Sequence, residues 1–172
     1  GAEHTPLHRV PGGERAFVVT SASKSWNLAG LKAGLIVPGA EVADVVKGLS
    51  GYVPESASYL GVVAHATALN EGRDWLAEAA AEIRENKQHF ADELHRAIPE
   101  LTYTPSQGTY LAWLDCSPLG LDHAGQHFFE KAKVRFGQGT DYAPSATQFV
   151  RVNLATSKEI ISEAVRRMAA SL

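Results

Sequence analysis

One long amphipathic run constrains this chain more than any other feature. Between Asp74 and Ile98, Leu76, Ala79, Ile83, Phe90, Leu94 and Ala97 recur at the three- and four-residue spacing of a helix face, with Glu78, Glu82, Glu85 and Lys87 set between them for solvent. The spacing predicts one helix over 74–98. Pro99 stops it, because proline lacks the amide proton and clashes with the preceding turn. A helix of that length near the middle of 172 residues divides the sequence into two parts.

Ahead of the helix, Ala16-Phe-Val-Val-Thr20 reads as a short buried strand and Leu35-Ile-Val37 as a second, with a helix over 41–49 after it. A further helix is expected over 54–70, since proline is tolerated in a first turn and Gly72 lies near its end. Beyond Pro99 the pattern predicts strands over 101–104, 109–114, 134–136 and 149–155 and a helix over 122–133. The last helix opens with Thr156-Ser-Lys-Glu159, which has the form of a capping box, and Ile160, Ile161, Ala164, Val165 and Met168 make its buried stripe. The fold class is therefore α/β in the first part and α+β in the second.

The candidate chemistry starts where the first strand ends, at Ser21-Ala-Ser-Lys24-Ser. Ligands in open α/β sheets bind at the carboxyl ends of strands. A lysine held there in a desolvated pocket has its charged form disfavoured, which frees the amine to attack a carbonyl. Ser21 and Ser23 supply hydroxyl donors suited to a phosphate, and Lys32 adds positive charge. Two other readings exist for this stretch. It fits a solvated turn, and Ser21-Ala-Ser-Lys24 also has the S-x-x-K form of a serine acyl-transferase or hydrolase, with Ser21 attacking and Lys24 activating it, although no S-D-N or K-T-G string accompanies it. Downstream, Val150, Val152 and Leu154 alternate with Phe149, Arg151 and Asn153, so a strand that buries the first set turns Arg151 to the opposite face. Its guanidinium fork matches a carboxylate with two parallel hydrogen bonds.

Ser21-Ala-Ser-Lys24-Ser-Trp-Asn-Leu-Ala-Gly-Leu31, Gln107-Gly-Thr-Tyr-Leu-Ala-Trp-Leu-Asp115 and Gln148-Phe-Val-Arg-Val-Asn-Leu-Ala155 together resemble the fold-type I enzymes that use pyridoxal 5′-phosphate (PLP), specifically the class I/II aminotransferases and their cystathionine β-lyase-like C–S lyase branch. The resemblance implies that Lys24 is the Schiff-base lysine and general acid/base, with Ser21 and Ser23 at the cofactor phosphate. It puts Lys32 where many relatives carry a phosphate-binding arginine, and Arg151 on the substrate α-carboxylate. It also implies the end of a PLP-binding large domain over 1–73, a connecting helix over 74–98 and a small C-terminal α+β domain over 99–172. The substrate is then an amino acid and the assembly a homodimer, with 51–60 approaching the neighbouring subunit's site. The family's phosphate loop, ring-stacking aromatic and pyridinium aspartate precede the matched region, so the expectation is a C-terminal portion of a longer enzyme, inactive by itself. A non-catalytic dimerisation or interaction module is the alternative.

Composition narrows the remaining classes. A net charge of −3 offers no cationic field for nucleic acid, and no apolar run approaches a membrane span. The single cysteine, Cys116, excludes an internal disulfide, which points to the cytoplasm, and the residue reads as a small buried group. His123 and His127, four apart on an expected helix, would share a face, but no third ligand stands at a recognisable spacing for zinc. His65, His89 and His95 read as surface or core-edge residues.

Overall fold

A computed structural model describes residues 4–172. The chain divides into two compact units, with the boundary between Ala79 and Ala80.

The first unit pairs strand β1 (Phe17–Thr20) with β2 (Leu35–Pro38) as an antiparallel hairpin, Phe17 opposite Pro38 and Thr20 opposite Leu35. The expected burial of β1 does not hold: Phe17 and Val19 are exposed, and Val19 retains 77% of its surface. A two-stranded ribbon has no third strand or packed layer to cover both faces. His8 ties the ribbon to the preceding turns, with its two ring nitrogens 3.1 Å from the carbonyl of Gly13 and 3.0 Å from that of Val37.

After β2 comes a 3-10 turn over Ala40–Val42 and the short α1 (Ala43–Lys47). The helix expected over 54–70 is broken in two, α2 (Tyr52–Glu55) and α3 (Tyr59–Glu71). The break has a local cause. Ser58 adopts extended backbone and its hydroxyl accepts the amide of Gly61 at 3.3 Å, which starts a new helix. The long helix α4 spans Arg73–Ala97, within a residue of expectation.

The second unit, Ala80–Leu172, is a three-stranded antiparallel sheet in the order β3-β5-β4 backed by helices. Its strands are β3 (Leu111–Asp115), the two-residue β4 (Gly137–Gln138) and β5 (Phe149–Asn153). Helix α5 (Ala124–His127) precedes β4 and runs into a π-helical turn, Phe128–Ala132, that ends at Lys133 in left-handed backbone. Helix α6 (Lys158–Ala170) closes the chain. Alternation along the strands sends Ala112, Leu114, Val150 and Val152 to one face, where they join Phe90, Leu94, Phe128, Val165 and Met168 in a single buried cluster.

Several local expectations change here. Residues 101–104 form no strand: Leu101 is buried and Tyr103 packs its ring 5.3 Å from that of Phe90, so side-chain packing holds the segment and no ladder partner reaches it. The strand expected over 134–136 shifts to β4. His123 lies outside the helix, as its N-cap, so it does not share a helix face with His127, whose Nε2 donates to the Ser171 carbonyl at 3.0 Å. Ser157 caps α6 in place of Thr156, accepting the Ile160 amide, and Ile160 and Ala97 face outward. Cys116 is buried as read, and burial, with Asp115 beside it, pushes its thiol up to about 12.

Lys87 is the largest correction. It is buried, and its ammonium donates to the carbonyls of Ser106 and Gly108, each at 2.9 Å. Burial, then repulsion from Arg84, holds it below the usual lysine range. Beside it on α4, Asn86 donates through Nδ2 to the carbonyls of Leu154 at 3.0 Å and Thr156 at 2.7 Å.

Candidate active site

The five residues singled out from the sequence fall into two groups, one in each unit. In the first, β1 ends at Thr20 and the chain makes an α-turn, closed by the Trp26 amide donating to the Ala22 carbonyl at 3.0 Å. Lys24 sits on this turn with an exposed side chain, so the described residues do not form the desolvated pocket expected around it, and among them no carboxylate lies within ion-pair distance. Ser21 and Ser23 are half-buried with their hydroxyl oxygens 2.5 Å apart, and the Ser23 amide also donates to Ser21 Oγ at 3.3 Å. One hydroxyl proton is shared inside this pair, which leaves the other free for an outside acceptor. Lys32 ends the 3-10 turn Ala29–Leu31 in left-handed backbone with φ 54°, its side chain exposed.

What fixes the turn is a residue that the sequence reading passed over. Trp26 Nε1 donates to the Gly72 carbonyl at 2.8 Å, at the junction between α3 and α4. A Cβ at position 72 would fall 2.6 Å from that same nitrogen, so only glycine permits the approach. The only advance sign was a tryptophan two residues after the lysine and a glycine between two helical runs.

In the second unit, Arg151 projects from β5 on the face opposite the core, as alternation predicts. It is half-buried, yet among the described residues it has neither a carboxylate partner nor a hydrogen-bond acceptor in the protein. Its guanidinium carbon instead lies 4.7 Å from the centre of the Tyr142 ring. A planar fork of unspent donors held on an aromatic ring can bind a carboxylate or a phosphate. Of the histidines read as surface or core-edge residues, His89 is half-buried and bonds Ser162 Oγ at 2.8 Å, His95 is exposed, and His65 is buried, contrary to expectation. No three His, Cys, Asp or Glu side chains come together as a metal site among the described residues.

The profile of the family "Aminotransferase class I and II" matches residues 2–168, nearly the whole sequence. The chain belongs to that family. Among curated aminotransferase-family relatives, a Mycobacterium tuberculosis protein of cystathionine beta-lyase type is 37% identical over 190 residues, covering 100% of this chain and 47% of its own length. A cystathionine beta-lyase of Corynebacterium glutamicum is 35% identical over 159 residues, covering 91% and 42%. Among solved structures, a PLP-dependent beta-cystathionase-type protein of Corynebacterium diphtheriae superposes with a TM-score of 0.92 at 33% identity, over 99% of this chain and 46% of that one. The α/β and α+β organisation read from the sequence agrees with this neighbour. The chain spans about half the length of the curated relatives it matches.

Proposed function

We propose that this aminotransferase-family sequence belongs to a PLP-dependent enzyme acting on amino acids, with its chemistry on the C–S β-lyase side of the family. The observation that carries the reading is the half-buried Arg151 fork, held on the Tyr142 ring with its donors unspent, since such a fork gains charge-assisted hydrogen bonds when a carboxylate meets it. The names of the relatives at 37% and 35% identity support the lyase side. The residues at the first strand's end fit the cofactor by donor type: Lys24 offers a primary amine for its aldehyde, and the Ser21–Ser23 pair and Lys32 offer hydroxyl and ammonium donors for its phosphate.

PLP, when bound, supplies an electron sink for charge developing at the substrate's α-carbon. The protein's own groups do the rest. Arg151 grips the α-carboxylate through two N–H donors and fixes which bond at the α-carbon is presented. Lys24 Nζ then takes the α-proton as general base. Departure of a thiolate from the β-carbon gives C–S cleavage, and return of the proton at another carbon gives amino transfer. The domain reading of 1–73, 74–98 and 99–172, a homodimer with 51–60 at the partner's site, and a cytoplasmic setting complete the proposal. The expectation that these 172 residues alone turn over no substrate belongs to it as well.

Borohydride reduction of the PLP-loaded full-length enzyme that contains this sequence, followed by peptide mapping, tests the assignment: label on Lys24 supports it, and label elsewhere or nowhere sinks it. With cystathionine as substrate for the full-length enzyme, release of pyruvate without keto-acid exchange marks the lyase, and the reverse marks the transferase. Lys24→Ala removes either activity, and Arg151→Gln, which deletes a charge-assisted pair, lowers kcat/KM by roughly 10 to 100-fold.

A further inference from the structure

The surroundings of Arg151 assign a role to a residue that lies nine positions away in the sequence and outside any strand. Trp113 stands directly opposite Arg151 in the β3–β5 ladder, and Gly137 stands opposite it in the β4–β5 ladder. Tyr142, from the loop after β4, reaches back to this face: its ring meets Trp113 edge-on, with centres 5.5 Å apart and an interplanar angle of 84°. Trp113 in turn stacks on Phe149 at 5.7 Å and 15°. The Tyr142 ring is therefore braced from one side and carries the Arg151 guanidinium at 4.7 Å on another. A Cβ at position 137 would lie 3.1 Å from Tyr142 Oη and 3.4 Å from Arg151 Nε. The bare glycine leaves the room in which tyrosine and arginine meet.

We propose that Tyr142 is the positioning residue of the Arg151 fork, a braced aromatic ring that holds the guanidinium plane in place before any carboxylate arrives. The role rests on the reading of Arg151 as a carboxylate site. An arginine side chain is long and rotamer-rich, and ordering it at the moment of binding weakens affinity. Held against a ring by cation–π attraction, it is ordered already, and the donors that remain open define the direction from which the carboxylate enters. The hydroxyl of Tyr142 plays no part in this. The ring does.

The test uses the full 172-residue chain, with 15N relaxation of the Arg151 Nε–Hε group to report its order and acetate titration followed on the same signal to report binding. Tyr142→Phe, which keeps the ring, leaves both readings at the wild-type values. Tyr142→Leu lowers the order and raises the acetate dissociation constant roughly threefold, the scale of an exposed cation–π contact. Gly137→Ala, whose methyl meets Tyr142 Oη and Arg151 Nε where the two side chains come together, moves both readings the same way by less. Wild-type order and affinity in Tyr142→Leu overturn the proposal. Should that variant lose the amide protection of Val150 and Val152, Gly137→Ala decides, and unchanged Arg151 signals there overturn it equally. A wild-type chain that binds no acetate, with order still lost in Tyr142→Leu, refutes the carboxylate reading and upholds the positioning role.

Discussion

The two units of this chain hold themselves together in different ways. Residues 80–172 own a continuous apolar core in which Leu94, Leu114, Phe128, Val150, Leu154, Val165 and Met168 are fully buried. Residues 4–79 bury only Ala22 and Ala68 among their apolar side chains, and leave Tyr52, Tyr59, Leu60 and Val19 more than two-thirds exposed. Their framework is a set of polar ties, the His8 bridge and the Trp26–Gly72 bond among them. Core burial contributes roughly 1.5–3 kcal/mol for each large side chain, whereas a hydrogen bond contributes about 1. The unit carrying Arg151 is therefore supported by its own core, while the unit carrying Lys24 leaves large apolar side chains in solvent and relies on polar ties.

The strongest way to break this contrast is a pair of truncations. Phe128→Ala is expected to destabilise residues 80–172 by about 3–5 kcal/mol in urea unfolding, while Val19→Ala shifts stability by no more than about 0.5. Equal costs would erase the distinction. The Cys116 thiol sharpens it: raised from 9 to about 12 by burial, it should react with iodoacetamide at pH 8 about a thousandfold more slowly than a free thiol, until the core opens. Its ionisation also sets a sign. The unfolded chain releases this proton first, so stability falls as pH climbs from about 9 towards 12.

In the first unit, Trp26→Phe keeps a ring and deletes the bond to Gly72, for an expected loss of about 1 kcal/mol and faster amide exchange around Ala22 and Gly72. The smallest effect is a slope. Lys87 is held below its unfolded value, so between the two the unfolded chain binds more protons, and stability rises with pH across that window. Lys87→Met should remove the rise, as titrated denaturation midpoints would show.

The long helix was legible because its apolar period is regular and Pro99 ends it, and the outward turn of Arg151 followed from strict alternation in β5. Lys87 was not legible. Lysine at the edge of a helical stripe normally faces water, and the carbonyls that hold it come from a loop about twenty residues away. The α6 cap offered two adjacent hydroxyls, Thr156 and Ser157, and the choice depends on the backbone: Ser157 takes the extended N-cap conformation and accepts the Ile160 amide. The strand expected at 101–104 had the right composition, but composition cannot supply a neighbouring strand. In the site, Lys24, Ser21 and Ser23 were visible as a local string, whereas Tyr142 and Trp26 act through partners brought together only by folding.

Asn86 and Lys87 sit side by side on α4 and between them hold four carbonyls, two just past β5 and two just before β3. The start of β3 and the end of β5 lie at the same end of the sheet, where the Leu154 amide also bonds the Tyr110 carbonyl. This half-turn of helix is thus tied by side-chain hydrogen bonds to the segment that follows the Arg151 strand, so register along β5 and the placement of α4 depend on the same two residues.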